Sequence, residues 1–158
     1  MRALRPRRGE RVREVGAGIG IHALPVASSL LPGGTLDVRD LQQAMLDDLG
    51  RWAARQGLAN ILPRQGDAQS LPYPDRTFDA AYLVAVLGEI PDPQAALREL
   101  HRVLKSDGRL VVSEILLDPD FICLGALRQK AHDAGFVFSG AEGPRFAYSA
   151  VFQLAVPA

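Results

Sequence analysis

A strand-like run from Arg11 to Val15 delivers the chain into Glu14-Val15-Gly16-Ala17-Gly18-Ile19-Gly20, and no other stretch narrows the possible folds as much. Glycines at alternate positions remove the Cβ atoms that would hold a backbone away from a ligand. A turn of this kind leaves a strand and opens a helix, as the first crossover of an α/β sheet does. Asp40 lies twenty positions beyond Gly20, at the expected end of the next strand. A carboxylate there is well placed to grip two ribose hydroxyls. Together these features point to a nucleoside-containing cofactor.

Downstream, short apolar runs alternate with helical patterns. Strands are expected over 11–15, 35–39, 60–65, 78–84 and 109–113, with two more over 136–140 and 147–155. Helices are expected over 20–31, 42–57, from Pro93 onward and over 120–134. Pro25 would kink the first helix or delay its start. Asp92-Pro93 is a start signal, because Asp caps free N–H groups and Pro is pre-set for the first helical turn. Ala96, Leu97, Leu100, Val103 and Leu104 then share one helical face. Ser106-Asp107-Gly108 reads as a turn, and Gly135 as a helix C-terminal glycine. Such alternation implies a parallel sheet covered on both faces. Ligands of such sheets sit beyond the carboxyl ends of the strands, at the switch point.

Composition narrows the function. The 158 residues suit a single domain, 1–158, without a second unit or low-complexity linker. The formal net charge is zero, so no global field favours nucleic acid or acidic membranes. No apolar run is long enough to span a bilayer, and the N-terminus lacks the apolar segment of a secretory signal. Cys123 is the single cysteine, which fits a cytoplasmic protein and no zinc site. It reads as a small buried hydrophobe. Six arginines crowd the first thirteen residues. With no aromatics interleaved, residues 1–9 read as a flexible, solvated basic end.

The spacing at 16–20 is Gly-x-Gly-x-Gly, tighter than the pyrophosphate-binding pattern. Glu-Val-Gly-Ala-Gly-Ile-Gly resembles the first motif of class I S-adenosylmethionine-dependent methyltransferases. Asp40-Leu41-Gln42-Gln43-Ala44-Met45-Leu46 is similar to that family's acidic-loop segment. Gly66-Asp67-Ala68, Leu71-Pro72-Tyr73-Pro74-Asp75 with Phe78-Asp79-Ala80, Leu97 to Lys105 followed by Gly108, and Ala134-Gly135-Phe136 resemble its later segments. The resemblance covers about residues 4–155 and is nearest to the broad branch of ubiquinone/menaquinone C-methyltransferases. It implies a Rossmann-like, doubly wound, mostly parallel seven-stranded sheet with an antiparallel C-terminal strand. It also implies S-adenosyl-L-methionine as cofactor and a small-molecule acceptor.

The resemblance further implies roles. Asp40 would accept both ribose hydroxyls, Asp67 the adenine amino hydrogen, and the Ala68 N–H would donate to the ring. Gly16 and Gly18, with Glu14, Ala17 and Gly20 in the same motif, would admit the amino acid tail. Leu41 and Met45 would pack near the adenosine, and Val84 would line the methionine side. Methyl transfer needs alignment rather than a nucleophile or metal. A general base is needed only if the acceptor must lose a proton. Glu89, Asp92 and Tyr82 are candidates near the switch point and His22 a more distant one, with Glu89 not expected to be essential.

Three charges depart from the family pattern. Arg13, Arg39 and Asp37 stand at or inside expected central strands, so either these groups pair, Arg13 or Arg39 with Asp37, or this part of the sheet is more open than usual. Relatives also carry helices before the first motif, whereas here residues 1–10 precede the first strand. A minimal domain with an open cleft follows, which a second copy or a partner chain could cover. A non-catalytic binding module is the alternative reading. A nicotinamide oxidoreductase is disfavoured by the glycine spacing and Gly66-Asp67-Ala68. Nucleic-acid methylation is disfavoured by Ala85-Val86-Leu87-Gly88-Glu89, which lacks the base-methylation signature.

Overall fold

The computed structural model describes residues 2–18 and 20–155. Seven strands form one sheet: β1 Arg11–Val15, β2 Thr35–Asp40, β3 Ile61–Gln65, β4 Phe78–Val84, β5 Leu104–Ile115, β6 Phe136–Glu142 and β7 Ala147–Leu154. Their order is β3-β2-β1-β4-β5-β7-β6. The pairs among β1 to β5 are parallel, and β7 runs antiparallel to both β5 and β6. This is the doubly wound, mostly parallel seven-stranded sheet that the resemblance implies, with the parallel part that the alternation predicts.

Helices cover both faces. On one side α1 (Ala23–Leu30) and α2 (Gln43–Arg55) pack on β2 and β3. Val12, Leu36, Val38, Ala80 and Tyr82 of the sheet meet them in one core. On the other side α3 (Pro93–Val103) and α4 (Leu124–Asp133) pack on β5, β6 and each other. Val15, Phe78, Leu83, Leu110, Val112 and Phe136 join that second core. The strands alternate between the two cores because successive side chains point to opposite faces.

Proline and aspartate set the helix starts. Pro25 sits in the first turn of α1, where a missing N–H costs nothing, so the helix starts at Ala23 rather than at 20. Asp92 caps α3, its Oδ1 accepting from the Ala95 N–H at 2.9 Å. The helix expected over 120–134 begins only at Leu124; residues 116–123 form a loop instead. Ser106-Asp107-Gly108 is not a free turn but part of a bulge in β5. The register there jumps from Phe78↔Leu104 to Ala80↔Arg109.

Three expectations are corrected. The basic N-terminus is docked, not frayed: Ala3 and Leu4 are buried. The Arg109 guanidinium holds it, donating to the Leu4 carbonyl at 2.6 Å, the Arg5 carbonyl at 3.0 Å and the Glu10 carboxylate at 2.7 Å. Met1 lies outside the described residues. Asp37 pairs with Arg11, not with Arg13 or Arg39, through two hydrogen bonds of 3.1 Å. Arg13 is fully buried, its guanidinium carbon 4.7 Å from the Tyr73 ring centroid, with none of its three nitrogens hydrogen-bonded. Cys123 is exposed at the start of α4 rather than buried.

Candidate cofactor cleft

The chain reverses its winding between β1 and β4, and the sheet opens there into a cleft of about 460 Å³. That size falls in the range of small-molecule sites. The strand ends forming its floor are tied together by backbone bonds. Gly16 N donates to the Arg39 carbonyl at 2.8 Å, Gly66 N to the Asp40 carbonyl at 2.9 Å and Ala85 N to the Ser113 carbonyl at 2.8 Å.

The glycine loop comes close because it has no side chains. Gly16 takes φ +81°, and a Cβ there would stand 2.5 Å from Val86 Cγ2. Gly18 also has a positive φ, and nothing lies within 4 Å of where its Cβ would be. The loop is fastened by Asp40, whose Oδ2 accepts from Ala17 N and Oδ1 from Gln42 N, each at 2.8 Å. An ionised carboxylate has about four acceptor sites, so each oxygen of Asp40 keeps one for a ligand hydroxyl.

Glu14 lies beneath this loop, 3% exposed, and its Oε2 has no hydrogen-bond partner. Burial pushes its pKa up to about 8; the nearby Asp40 charge adds to this and the Tyr82 hydroxyl works against it. A buried carboxyl with a free oxygen at a cavity wall is built for a cationic donor. Across the cleft, Asp67 accepts from Gln69 N and Gln69 Nε2, both at 2.8 Å. Those two bonds hold its carboxyl below the ordinary range. Ile21 and Leu41 stand at the rim, 63% and 64% exposed. Apolar side chains left open beside a cleft mark a contact surface.

All eleven residues expected to bind the cofactor line this one cleft: Glu14, Gly16, Ala17, Gly18, Gly20, Asp40, Leu41, Met45, Asp67, Ala68 and Val84. Ile19 of the same motif lies outside the described residues. The four candidate bases separate. Glu89 and His22 line the cleft. Tyr82 is buried in the core under Glu14 with burial raising its pKa well above the ordinary range, and Asp92 is engaged in capping α3. Sequence reasoning missed Ala85, Val86, Ile90 and Pro91 on the β4 side, and the Arg39 wall. Ala85 has φ +50°, a left-handed turn a non-glycine residue adopts only under constraint. No sequence signal marks that turn.

Together the site offers an unpartnered buried carboxyl, a ribose-grade carboxylate on a glycine loop, and an apolar slot ending at Asp67 and Ala68. That set fits a ligand with a cationic amino acid tail, a ribose and a planar base. Among the described residues lining the cleft, Arg39 is the one cation of the lysine or arginine kind, too few for a pyrophosphate.

A model of the methyltransferase domain family matches residues 13–112. The chain is similar to the ubiquinone/menaquinone biosynthesis C-methyltransferase UbiE of Pasteurella multocida, at 34% identity over 118 residues, 72% of this chain and 44% of that protein. It is also similar to the demethylmenaquinone methyltransferase of Lactobacillus johnsonii, at 33% identity over 112 residues, 70% of this chain and 46% of that protein. The chain thus spans about half the length of these curated relatives. Among solved structures, the fold superposes on a SAM dependent methyltransferase from Aquifex aeolicus with a TM-score of 0.86. That match has 20% identity and covers 95% of this chain and 84% of that one.

Proposed function

Because the chain belongs to the methyltransferase domain family, we propose that it transfers a methyl group from S-adenosyl-L-methionine to a small-molecule acceptor. The observation that carries this reading is Glu14, a buried carboxyl with a free oxygen at the wall of a switch-point cleft. S-adenosyl-L-methionine, when bound, supplies a sulfonium-activated methyl group and leaves as a neutral thioether. The residues of this chain bind and align. Glu14 would hold the ammonium of the amino acid tail, Asp40 the ribose hydroxyls, and Asp67 with the Ala68 N–H the adenine edge. Gly16 and Gly18 would let the loop approach the tail, and Val84 would line the methionine side.

Holding the reacting atoms in line contributes roughly 7–11 kcal/mol to such a displacement. The relatives' names make a reduced quinone ring the acceptor class to test first. The cytoplasm suits a chain with one exposed cysteine, and among the described residues no helix is long and apolar enough to cross a membrane. Ile21 and Leu41 would be covered by a second copy or by the acceptor itself.

The assay is formation of S-adenosylhomocysteine with 1,4-naphthohydroquinone, kept reduced, and a panel of small phenols. Methylated product from the intact chain, and loss of at least tenfold in kcat/KM with Asp40→Ala, is the expected result. Turnover that Asp40→Ala leaves unchanged would place the chemistry outside this cleft.

A further inference from the structure

Glu89 is held in an unusual way. β4 ends at Val84, Ala85 turns through φ +50°, and one turn of 3-10 helix, Leu87–Glu89, follows. Leu87 anchors that turn in the core. Gly88 is pressed against the loop after β5, since a Cβ there would stand 2.0 Å from the Asp120 carbonyl oxygen. The packing brings the loop carboxylates to Glu89: oxygens of Glu89, Asp118 and Asp120 all lie within 4.8 Å of one another. Glu89 forms no ion pair among the described residues. The cavity it lines is marked independently as a ligand site by the unpartnered, buried Oε2 of Glu14.

Against the expectation that Glu89 is dispensable, we propose that it takes the proton that the methyl acceptor gives up, with Asp118 and Asp120 beside it as positioning residues. The proposal rests on the methyl-transfer reading above. The acceptor's nucleophilic atom forms the bond to the methyl carbon, and the S–CH3 bond breaks with its electron pair going to sulfur. The one proton the acceptor loses goes to the Glu89 carboxylate and on to water at the open mouth.

A free glutamate is a weak base at neutral pH. Like charges a few ångströms away strengthen it, because the neutral form relieves the repulsion. The direction agrees: partial burial raises the Glu89 pKa, and Asp118, Asp120 and Asp40 raise it further in that order. These carboxylates come from the loop after β5 and the end of β2. Glu14, His22, Arg39 and Asp67 are the other charged or titratable groups lining the cleft. Protons bound by Glu89 reach solvent directly, since its side chain is exposed.

Two measurements test this, both on the full chain. The first follows Glu89 directly by carboxyl-carbon NMR titration, without cofactor or acceptor. Glu89 should titrate above an ordinary glutamate, and Asp118→Asn with Asp120→Asn should bring it back down. The second follows kcat/KM against pH with S-adenosyl-L-methionine and 1,4-naphthohydroquinone. The rate should rise as pH passes the Glu89 value, since the carboxylate is the active form. The Asn pair should move that limb to lower pH, and Glu89→Gln should lose about 100-fold or more with its cofactor affinity unchanged.

A Glu89 that titrates normally, or is unmoved by the Asn pair, overturns the proposal even if the chain methylates nothing in the assay. Full turnover by Glu89→Gln also overturns it. So does tight binding of calcium or magnesium that the Asn pair abolishes, which would make the trio a cation site. Absence of cofactor binding by the intact chain would instead overturn the methyl-transfer reading, and the role of Glu89 with it, whatever the titration shows.

Discussion

Gly16 shows how one atom decides this site. Its φ of +81° is a left-handed conformation, and Val86 Cγ2 would lie 2.5 Å from an added Cβ. Gly16→Ala should therefore both strain the loop and push it off the β4 side. The left-handed backbone alone costs about 1–2 kcal/mol. The expected outcome is a lower unfolding midpoint with weakened S-adenosyl-L-methionine binding, read by thermal shift and calorimetry. Arg13 makes the opposite case. Its buried guanidinium rests against Tyr73 with no hydrogen-bond partner, and burial pulls its pKa down. A buried charge left this way costs stability, so Arg13→Met should raise it, by about 1–4 kcal/mol by analogy with buried ionic groups replaced by apolar ones. Chemical denaturation measures this, and a fall in stability would mean the stacking on Tyr73 outweighs the lost hydration.

At the scale of elements, one arginine holds the loop that follows Gly66, Asp67 and Ala68 of the cleft wall. Arg102 on α3 donates to the Leu71 carbonyl at 2.9 Å, the Tyr73 carbonyl at 2.7 Å, and the carboxylates of Glu99 and Asp75, each at 2.8 Å. Glu99 in turn accepts from Leu71 N at 2.7 Å. Arg102→Ala should cost about 1.5–3 kcal/mol, the scale of a hydrogen bond to a charged group, and weaken cofactor binding several-fold. Hydrogen exchange should rise over residues 66–77 more than elsewhere; uniform exchange would contradict the assignment.

Local pattern made much of this legible. β1 and β4 keep the bounds their apolar runs suggest, and Asp92-Pro93 starts α3 where the signal stands. The glycine motif and Asp40 were readable because their chemistry is local. What sequence could not show depends on distant partners. Leu4 is buried because Arg109, far along the chain, clasps its carbonyl. Asp37 chooses Arg11 because Arg13 points into Tyr73. α4 begins late because the Glu114 carboxylate and the Tyr148 hydroxyl hold the two backbone groups of Ile122 just before it. Asp118 and Asp120 gained meaning only when packing placed them against Glu89.

For the whole molecule, opposed carboxyl shifts fix the pH of greatest stability. In Glu10 and Asp79 burial alone would raise the pKa, but Arg109 holds Glu10 low and Lys105 holds Asp79 low. Glu99 is lowered chiefly by Arg102. Stability from these groups is present above their ordinary values and lost as pH falls through the depressed ones. Burial raises Glu14 to about 8 and Glu114 to about 7. Their contribution is present below the ordinary 4.5 and is lost as pH rises through about 7 and about 8. Stability should therefore peak at about pH 5 and decline toward pH 8. Glu14→Gln with Glu114→Gln should flatten that decline in a series of denaturation curves.

Under the proposed function the same Glu14 carboxyl would tie folding to function, because the ammonium it would hold favours its ionised form. The most direct measurement is calorimetric titration of the intact chain with S-adenosyl-L-methionine at pH 6 and pH 8, beside Glu14→Gln and Asp40→Ala. One-site binding that is tighter at pH 8, releases a proton, loses that pH dependence in Glu14→Gln and collapses in Asp40→Ala is the predicted result. No binding, or binding indifferent to pH and to both substitutions, would contradict the assignment of this cleft.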